Sequence, residues 1–284
     1  MTAGIAEGRG PMTAGVASLG WAAGDVLVLT RRHLLQVLRE PQALFWTMVQ
    51  PITNVLLFVY VIGGIVALPD GGSYRDYLMA GVFTQTVVFS AASTAIGLAE
   101  DLQRGVVDRF RVLPVARSAV LLGRTVADLV RNTALLAVMM GIALLVGWRA
   151  PNGIGGVLAG AALIEFFAYA VGWLGVMIGL SVPNAQTATA AGLTWVFPLM
   201  FVSSSYVPLA SLPGWLQPVA EWNPLTAVVS GARELFGTQA GVAGLGHPSI
   251  PLAHPAVTAV AWAVAVIAVS VPAAGRKYAR LSRS

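Results

Sequence analysis

Six stretches of this chain, at about 44–67, 78–99, 119–146, 155–180, 187–208 and 255–272, are each apolar and near the ~20 residues that a bilayer-crossing helix needs. A backbone in hydrocarbon must satisfy its own polar groups, so runs of this length fold as helices. Composition agrees. The chain is 57% hydrophobic and 10% charged, where a soluble domain carries roughly 25% charged residues. The expectation is an all-α polytopic membrane protein with six transmembrane helices.

Basic residues orient these spans. With both termini on one side, that side holds Arg9, Arg31, Arg32, Arg39, Arg104, Arg109, Arg111, Arg117, Arg124, Arg131, Arg276, Lys277, Arg280 and Arg283. The other side holds Arg75, Arg149 and Arg233. Positive residues stay in the cytoplasm, so both termini and the loop at about 100–118 are placed there. The net charge of +5 therefore reports membrane topology, and no nucleic-acid partner is expected.

The flanking segments divide as follows. Residues 1–20 read as a flexible tail without the apolar core of a secretory signal. Residues 21–41 read as an interfacial amphipathic helix: Val26, Leu27, Leu34, Val37 and Leu38 share one face, and Arg32, His33, Arg39 and Glu40 the other. Pro41 ends it. The transmembrane domain runs over 42–275, and 276–284 form a basic cytoplasmic tail.

Two segments break the apolar pattern. From the end of the second span into the start of the third, the stretch from Glu100 to Arg131 holds ten charged residues: Glu100, Asp101, Arg104, Asp108, Arg109, Arg111, Arg117, Arg124, Asp128 and Arg131. Pro114 breaks any helix there and Ser118 can restart one. Val106, Val107, Phe110, Val112, Leu113 and Val115 are too apolar for a solvated loop. Apolar centre and charged rim together resemble a docking surface. The second segment, about 207–240, is too rich in proline to span and too apolar for a free loop. Trp215 and Trp222 suit a headgroup layer. Asn223 as N-cap and Pro224 at the first helical position predict a short helix over 224–236. The expectation is a re-entrant element in the outer leaflet.

Chemistry is sparse. There is no cysteine, which excludes thiolate metal sites and disulfides. Lys277 is the single lysine and lies near the C-terminus, so no P-loop is present. No histidine stands in H-E-x-x-H and no serine in G-x-S-x-G. The chain is expected to have no catalytic or metal site and no cofactor of its own. Glu165 is the one acid deep in a span, about 15 Å from its start, and an acid there marks a functional position or a helix contact. Gln50, Asn54, Gln85 and Ser90 also place polar groups inside spans, either along a translocation path or in interhelical hydrogen bonds. Gly156-x-x-x-Gly160 and Gly175-x-x-x-Gly179 match the spacing of close helix contacts.

The sequence resembles the ABC-2 type permeases, and among them the daunorubicin-resistance-type exporter subunits. EDLQRGVVDRFRVLPVARSAVLLGRTVADL looks like the family's cytoplasmic coupling region. LPGWLQPVAEWNPLTAVVSGARELF looks like its C-terminal signature, carried here by Pro213, Trp215, Pro218, Asn223, Pro224, Leu225 and Arg233. The match departs at Ala227, where members often carry a polar or aromatic residue. The resemblance implies a permease subunit of an ATP-driven exporter in a bacterial plasma membrane. Two separate ATPase subunits would bind ATP and magnesium ions, and a second permease, identical or related, would complete the assembly. Glu100, Asp101, Arg104, Asp108, Arg109, Phe110, Arg111, Pro114 and Arg117 would face the ATPase, as would the interfacial helix. The implied cargo is an amphipathic drug, secondary metabolite or lipid. Three other readings stand beside it: export of a polysaccharide or lipid-linked glycan, a proton-driven transporter with Glu165 as relay, and a non-transporting membrane anchor.

Overall fold

The computed structural model describes residues 41–62, 68, 72–104, 117–238 and 249–281. The expected interfacial helix, most of the expected coupling loop and the residues after 281 lie outside that set. Every regular element among the described residues is helical.

Helix α1 (Pro41–Leu57) contains Pro51 and runs into a single π-helical stretch, Phe58–Ile62. Then follow α2 (Tyr74–Gln103), α3 (Arg117–Leu145), α4 (Gly153–Gly179) and α5 (Ala185–Phe201). A 3-10 turn at Leu209–Ser211 leads to the short α6 (Gln217–Glu221) and to α7 (Pro224–Phe236). One turn, α8 (Ile250–Ala253), precedes α9 (Pro255–Leu281). Four helices are long and apolar enough to cross a membrane: α2, α4, and the stretches Gly123–Leu145 of α3 and Pro255–Tyr278 of α9. Each coincides with an expected span.

The structure differs from the sequence expectation at two ends. The fifth apolar stretch reaches residue 208, but α5 stops at Phe201. Its 17 residues rise about 26 Å, short of a ~30 Å hydrocarbon core. Pro198 has no N–H to extend the helical ladder, and the chain turns at Val202. At the C-terminus, α9 continues through Arg276, Lys277 and Arg280 to Leu281, past the expected end of the sixth stretch at about 272.

Helix α2 is the axis. Its most apolar window is 76% buried, against 28%, 39% and 17% for those of α3, α4 and α9. It sits between α4 and α5, with α3 alongside. Small residues allow this. Ala80, Ala91, Ala95 and Ala99 are buried along α2, and the Gly175/Gly179 pair of α4 lies against it. A Cβ on Gly175 would collide with the Ala91 carbonyl, and one on Gly179 would stand 2.8 Å from the Ala95 carbonyl oxygen. The Gly156/Gly160 pair meets the Leu235 carbonyl and the Phe236 ring in the same way. Both glycine pairs are thus contact points between helices.

Gly172, on the same helix, faces open space. Opposite outcomes are therefore expected for two otherwise equal substitutions. Gly172→Ala should stabilise by up to ~1 kcal/mol through helix propensity. Gly175→Ala should destabilise by about 1–3 kcal/mol through overpacking. Thermal unfolding of the purified protein in detergent reads both signs.

Candidate functional site

The two ends of α2 carry different kinds of polar structure. From Tyr77 to Asp101 the helix rises about 36 Å, so the two lie at opposite ends of the bundle.

At the N-terminal end of α2, helix α7 is sunk into the protein. Leu225 through Arg233 are buried, as is Phe236. A buried helix must have its terminal N–H and C=O groups satisfied, and two asparagines do this. The Asn223 side-chain oxygen accepts from Leu225 N at 2.9 Å. Its Nδ2 donates to the carbonyls of Leu199 (2.8 Å) and Val202 (2.6 Å), at the end of α5. One side chain thus caps the start of α7 and closes the end of α5. At the other end, Gly237 adopts φ 84°, a left-handed turn open to glycine. Thr238 N then returns to the Arg233 carbonyl at 2.9 Å. Asn152 Nδ2 donates to the carbonyls of Glu234 (3.2 Å) and Leu235 (3.1 Å). Phe236 packs edge-on against Phe83 and Trp148.

Arg233 pins this helix to α2. It is 3% exposed. Its Nε donates to the Tyr77 carbonyl at 2.9 Å. One terminal nitrogen donates to the Ser204 carbonyl at 2.7 Å and reaches the Ser205 carbonyl at 3.5 Å. The other reaches Ser204 Oγ at 3.3 Å. The guanidinium carbon lies 3.5 Å from the centre of the Tyr77 ring, within range of a cation–π contact. Tyr77 Oη donates to the Ser204 carbonyl at 2.7 Å, and Tyr74 Oη to that of Tyr206 at 3.0 Å. The sequence places Arg233 on the side opposite the termini, and there its donors are spent inside the protein. Arginine suits this place because its planar fork serves several acceptors at once.

At the C-terminal end of α2 the polar groups are ion pairs. Glu100 and Arg104 pair one turn apart at 3.2 Å on the surface. Asp101 Oδ2 accepts from Arg124 of α3. Two turns deeper on α2 and one on α3, Thr94 Oγ1 donates to Asp128 Oδ2 at 2.6 Å, and Asp128 Oδ1 lies 3.5 Å from Arg131. Two further ties reach the turn between α4 and α5: Gln103 Nε2 donates to the Pro183 carbonyl at 3.4 Å, and Lys277 of α9 to Ser181 Oγ at 2.8 Å. Beneath them Leu98, Trp173, Val176, Leu180, Ala274 and Tyr278 form a separate apolar cluster.

The expected coupling residues divide accordingly. Glu100, Asp101 and Arg104 close α2, and Arg117 opens α3. Asp108, Arg109, Phe110, Arg111 and Pro114 lie outside the described residues, as do Arg32, His33, Arg39 and Glu40. The polar residues inside spans are dispersed over three helices. Gln50 is exposed and Asn54 half-buried on α1, Gln85 is buried on α2 with Ser90 further along, and Glu165 stands at the middle of α4. Both carboxylate oxygens of Glu165 and the amide oxygen of Gln85 are covered by protein and have no hydrogen-bond partner among the described residues. In the outer segment, Pro213 in the turn before α6 and Pro218 in the first turn of α6 are exposed. Trp215, Val219 and Trp222 repeat at helical spacing and are also exposed.

Sequence reasoning missed Tyr77, Ser204 and Ser205 as partners of Arg233. The available signal was an arginine in an otherwise apolar short helix, which requires acceptors nearby. It also missed that Asp101 and Arg124 face each other. Opposite charges at matched helical spacing on two consecutive helices carried that information.

Long apolar helices around a buried axis, with charges gathered at one end, define a multi-pass helical membrane protein. The family model described as ABC-2 type transporter matches residues 24–236. The chain belongs to the ABC-2 type transporter family, whose membrane subunits work in a transporter complex with a separate ATPase. It is 30% identical over 210 residues to the daunorubicin resistance ABC transporter permease protein DrrB1 of Streptomyces coeruleorubidus, covering 74% of each chain. It is 26% identical over 212 residues to the probable doxorubicin resistance ABC transporter permease protein DrrC of Mycobacterium tuberculosis, covering 74% of this chain and 75% of that one. Similarity extends to the polysialic acid transport protein KpsM of Escherichia coli, at 25% identity over 193 residues, 66% of this chain and 71% of the relative.

Proposed function

We propose that this protein is the membrane permease subunit of an ATP-driven exporter that moves an amphipathic drug, secondary metabolite or lipid out of a bacterial cell. The observation that carries this reading is the family match over 24–236, which includes both the charged interruption and the buried-arginine helix. Similarity to the two drug-resistance permeases supports the cargo class. Similarity to KpsM favours a second reading, export of a polysaccharide.

In this account α1 with its π-helical end, α2, α3, α4, α5 and α9 are the six crossings. Both termini and the 100–118 region are cytoplasmic, as the arginine distribution requires. The buried α7 and the turns before it form the re-entrant outer element, with Trp215 and Trp222 in the headgroup layer. Two permeases, identical or related, assemble with two ATPase subunits that bind ATP and magnesium ions. The interfacial helix at 21–41 and the segment from Glu100 to Arg117 meet the ATPase. A motor outside the membrane moves cargo only if its contacts with the permease differ between the two states of the path. Gln50, Asn54, Gln85, Ser90 and Glu165 are placed on or beside that path. A buried acceptor without a donor costs about 1–3 kcal/mol, so Gln85 and Glu165 mark where cargo or a second conformation supplies one.

Replacing Asp108 and Arg109 together with alanine tests the coupling assignment. Export per ATPase complex should fall at least tenfold, with helical content and unfolding temperature unchanged. Normal export by the double variant would remove the coupling role from this loop.

A further inference from the structure

We propose that Asp101, Arg124, Thr94 and Asp128 form a latch that makes the ends of α2 and α3 one rigid lever, so that force on the 105–116 segment reaches the bundle undivided. The proposal rests on the reading of that segment as the ATPase contact and adds the residues that transmit its motion.

The segment connects the end of α2 at Gln103 to the start of α3 at Arg117. A force on a connection between two helices can do either of two things: spread the helices or displace them together. Only the second delivers the movement to the rest of the protein, and the contacts between the two helix ends decide between them.

Those contacts are in register. Thr94, Gly97 and Asp101 are spaced by three and four residues and share one face of α2. Arg124, Asp128 and Arg131 share one face of α3 by the same spacing. The helices run antiparallel, so the outer rung joins Asp101 to Arg124 and the inner rung joins Thr94 to Asp128. Arg131 then pairs with Asp128 at 3.5 Å. Between the rungs the Arg124 guanidinium lies directly against Gly97, where any Cβ would strike it. Glycine at 97 thus lets the arginine cross the face of α2 to reach Asp101. The side chain of Arg124 is 14% exposed and that of Asp101 31%, so solvent screening is limited.

The latch is also tied onward. Leu98, between its rungs in sequence, belongs to the apolar cluster with Trp173 and Val176 of α4 and Tyr278 of α9. Gln103 reaches the carbonyl of Pro183, just before α5. Displacement of the lever is therefore passed to α4, α5 and α9 together. Glu100 and Arg104, by contrast, pair only with each other among the described residues and on the surface. They lie outside the lever's internal wiring and leave its cytoplasmic face charged for a partner.

The test uses the complete transporter with its ATPase in proteoliposomes, ethidium as the transported probe, and transport per ATP hydrolysed as the readout. Arg124→Asp should retain ATPase binding and hydrolysis but lose at least tenfold in transport per ATP, and Asp101→Arg should lose as much transport per ATP hydrolysed in the complexes that form. The exchanged double variant, Asp101→Arg with Arg124→Asp, should return to within about threefold of wild type by restoring the pair. Because the chain contains no cysteine, Asp101→Cys with Arg124→Cys gives a second, charge-free version. Reduced, it should be uncoupled. Bridged by a short bifunctional thiol reagent, it should transport again. Single variants with wild-type transport per ATP, or a bridged pair that is blocked, would overturn the latch, the latter because the helices would then have to separate during the cycle. Ethidium transport that persists with the partner ATPase disabled would instead overturn the ATP-driven reading. The latch would then be judged by bridging yield in membranes, with a high yield supporting it and a low yield rejecting it.

Discussion

Arg233→Ala is expected to lower the stability of the protein by about 4 kcal/mol, the largest single effect in the chain. The guanidinium makes three close contacts with acceptors on α2 and on the turn after α5, at 2.9, 2.7 and 3.3 Å. A hydrogen bond to a charged group contributes about 1.5–3 kcal/mol. Against this stands the cost of burying a cation, several kcal/mol, which the substitution recovers. Truncation also leaves a cavity, which costs a further 2 kcal/mol or more. The balance is strongly destabilising because Arg233 ties α7 to α2 and the serine turn at once, whereas Thr226, Ser230 and Tyr77 each contribute one hydroxyl contact to that turn. Arg233→Lys should recover less than half of the loss. An ammonium is a point donor and cannot reach the Tyr77 and Ser204 carbonyls together while covering the Tyr77 ring. Unfolding temperature and the yield of monodisperse protein in detergent both read this. A lysine variant as stable as wild type would show that charge alone, without the fork, holds the helix.

Asn223 carries the second large effect, and the order of its variants separates its two roles. As N-caps, Asn, Asp and Ser are nearly equal. If capping α7 were the only role of Asn223, Asn223→Asp and Asn223→Ser would be close to neutral. Its amide nitrogen, however, also donates to the Leu199 and Val202 carbonyls. Serine keeps the cap and loses both donations, leaving two carbonyls unpaired at about 1–3 kcal/mol each. Aspartate loses them too and sets a carboxylate against the same two oxygens. The expected order of stability is Asn, then Ser, then Asp, with the aspartate variant at least 3 kcal/mol below wild type. Equal stability of Asp and Asn would mean that the α5 carbonyls are satisfied without Asn223.

What the sequence disclosed and withheld follows from the range of the forces involved. The apolar runs gave the long helices because, in a membrane, length and hydropathy leave little choice of structure. Asn223 and Pro224 placed the start of α7 at the residue where it begins, since capping is local. The two glycine pairs became helix contacts because missing side chains have their effect wherever another backbone comes close.

Failures arose where a distant partner decides. The apolar run through residue 208 looked like a longer fifth span, yet the chain leaves the helix at Val202, where Asn223, 21 residues further on, holds its carbonyl. Arg233 was legible only as a charge on the side opposite the termini, because no local pattern reveals three acceptors brought from α2 and the serine turn. Arg124 and Asp128 were legible as charges at the inner end of the third span. That Asp101 and Thr94 would meet them depended on the antiparallel pairing of α2 and α3. The dispersed polar residues Gln50, Asn54, Gln85 and Glu165 occupy three different helices, and their common role rests on the transport reading.

The central claim is that this chain moves cargo only with energy from a separate ATPase. The most direct measurement is ethidium flux into inside-out vesicles that contain the permease with its P-loop ATPase partner, compared with vesicles whose ATPase binds ATP but cannot hydrolyse it. An imposed proton gradient is present in one set and absent in the other. The account predicts flux whenever ATP is hydrolysed, with or without the gradient, and none with the inactive ATPase. Flux that follows the proton gradient and survives loss of ATP hydrolysis would contradict it.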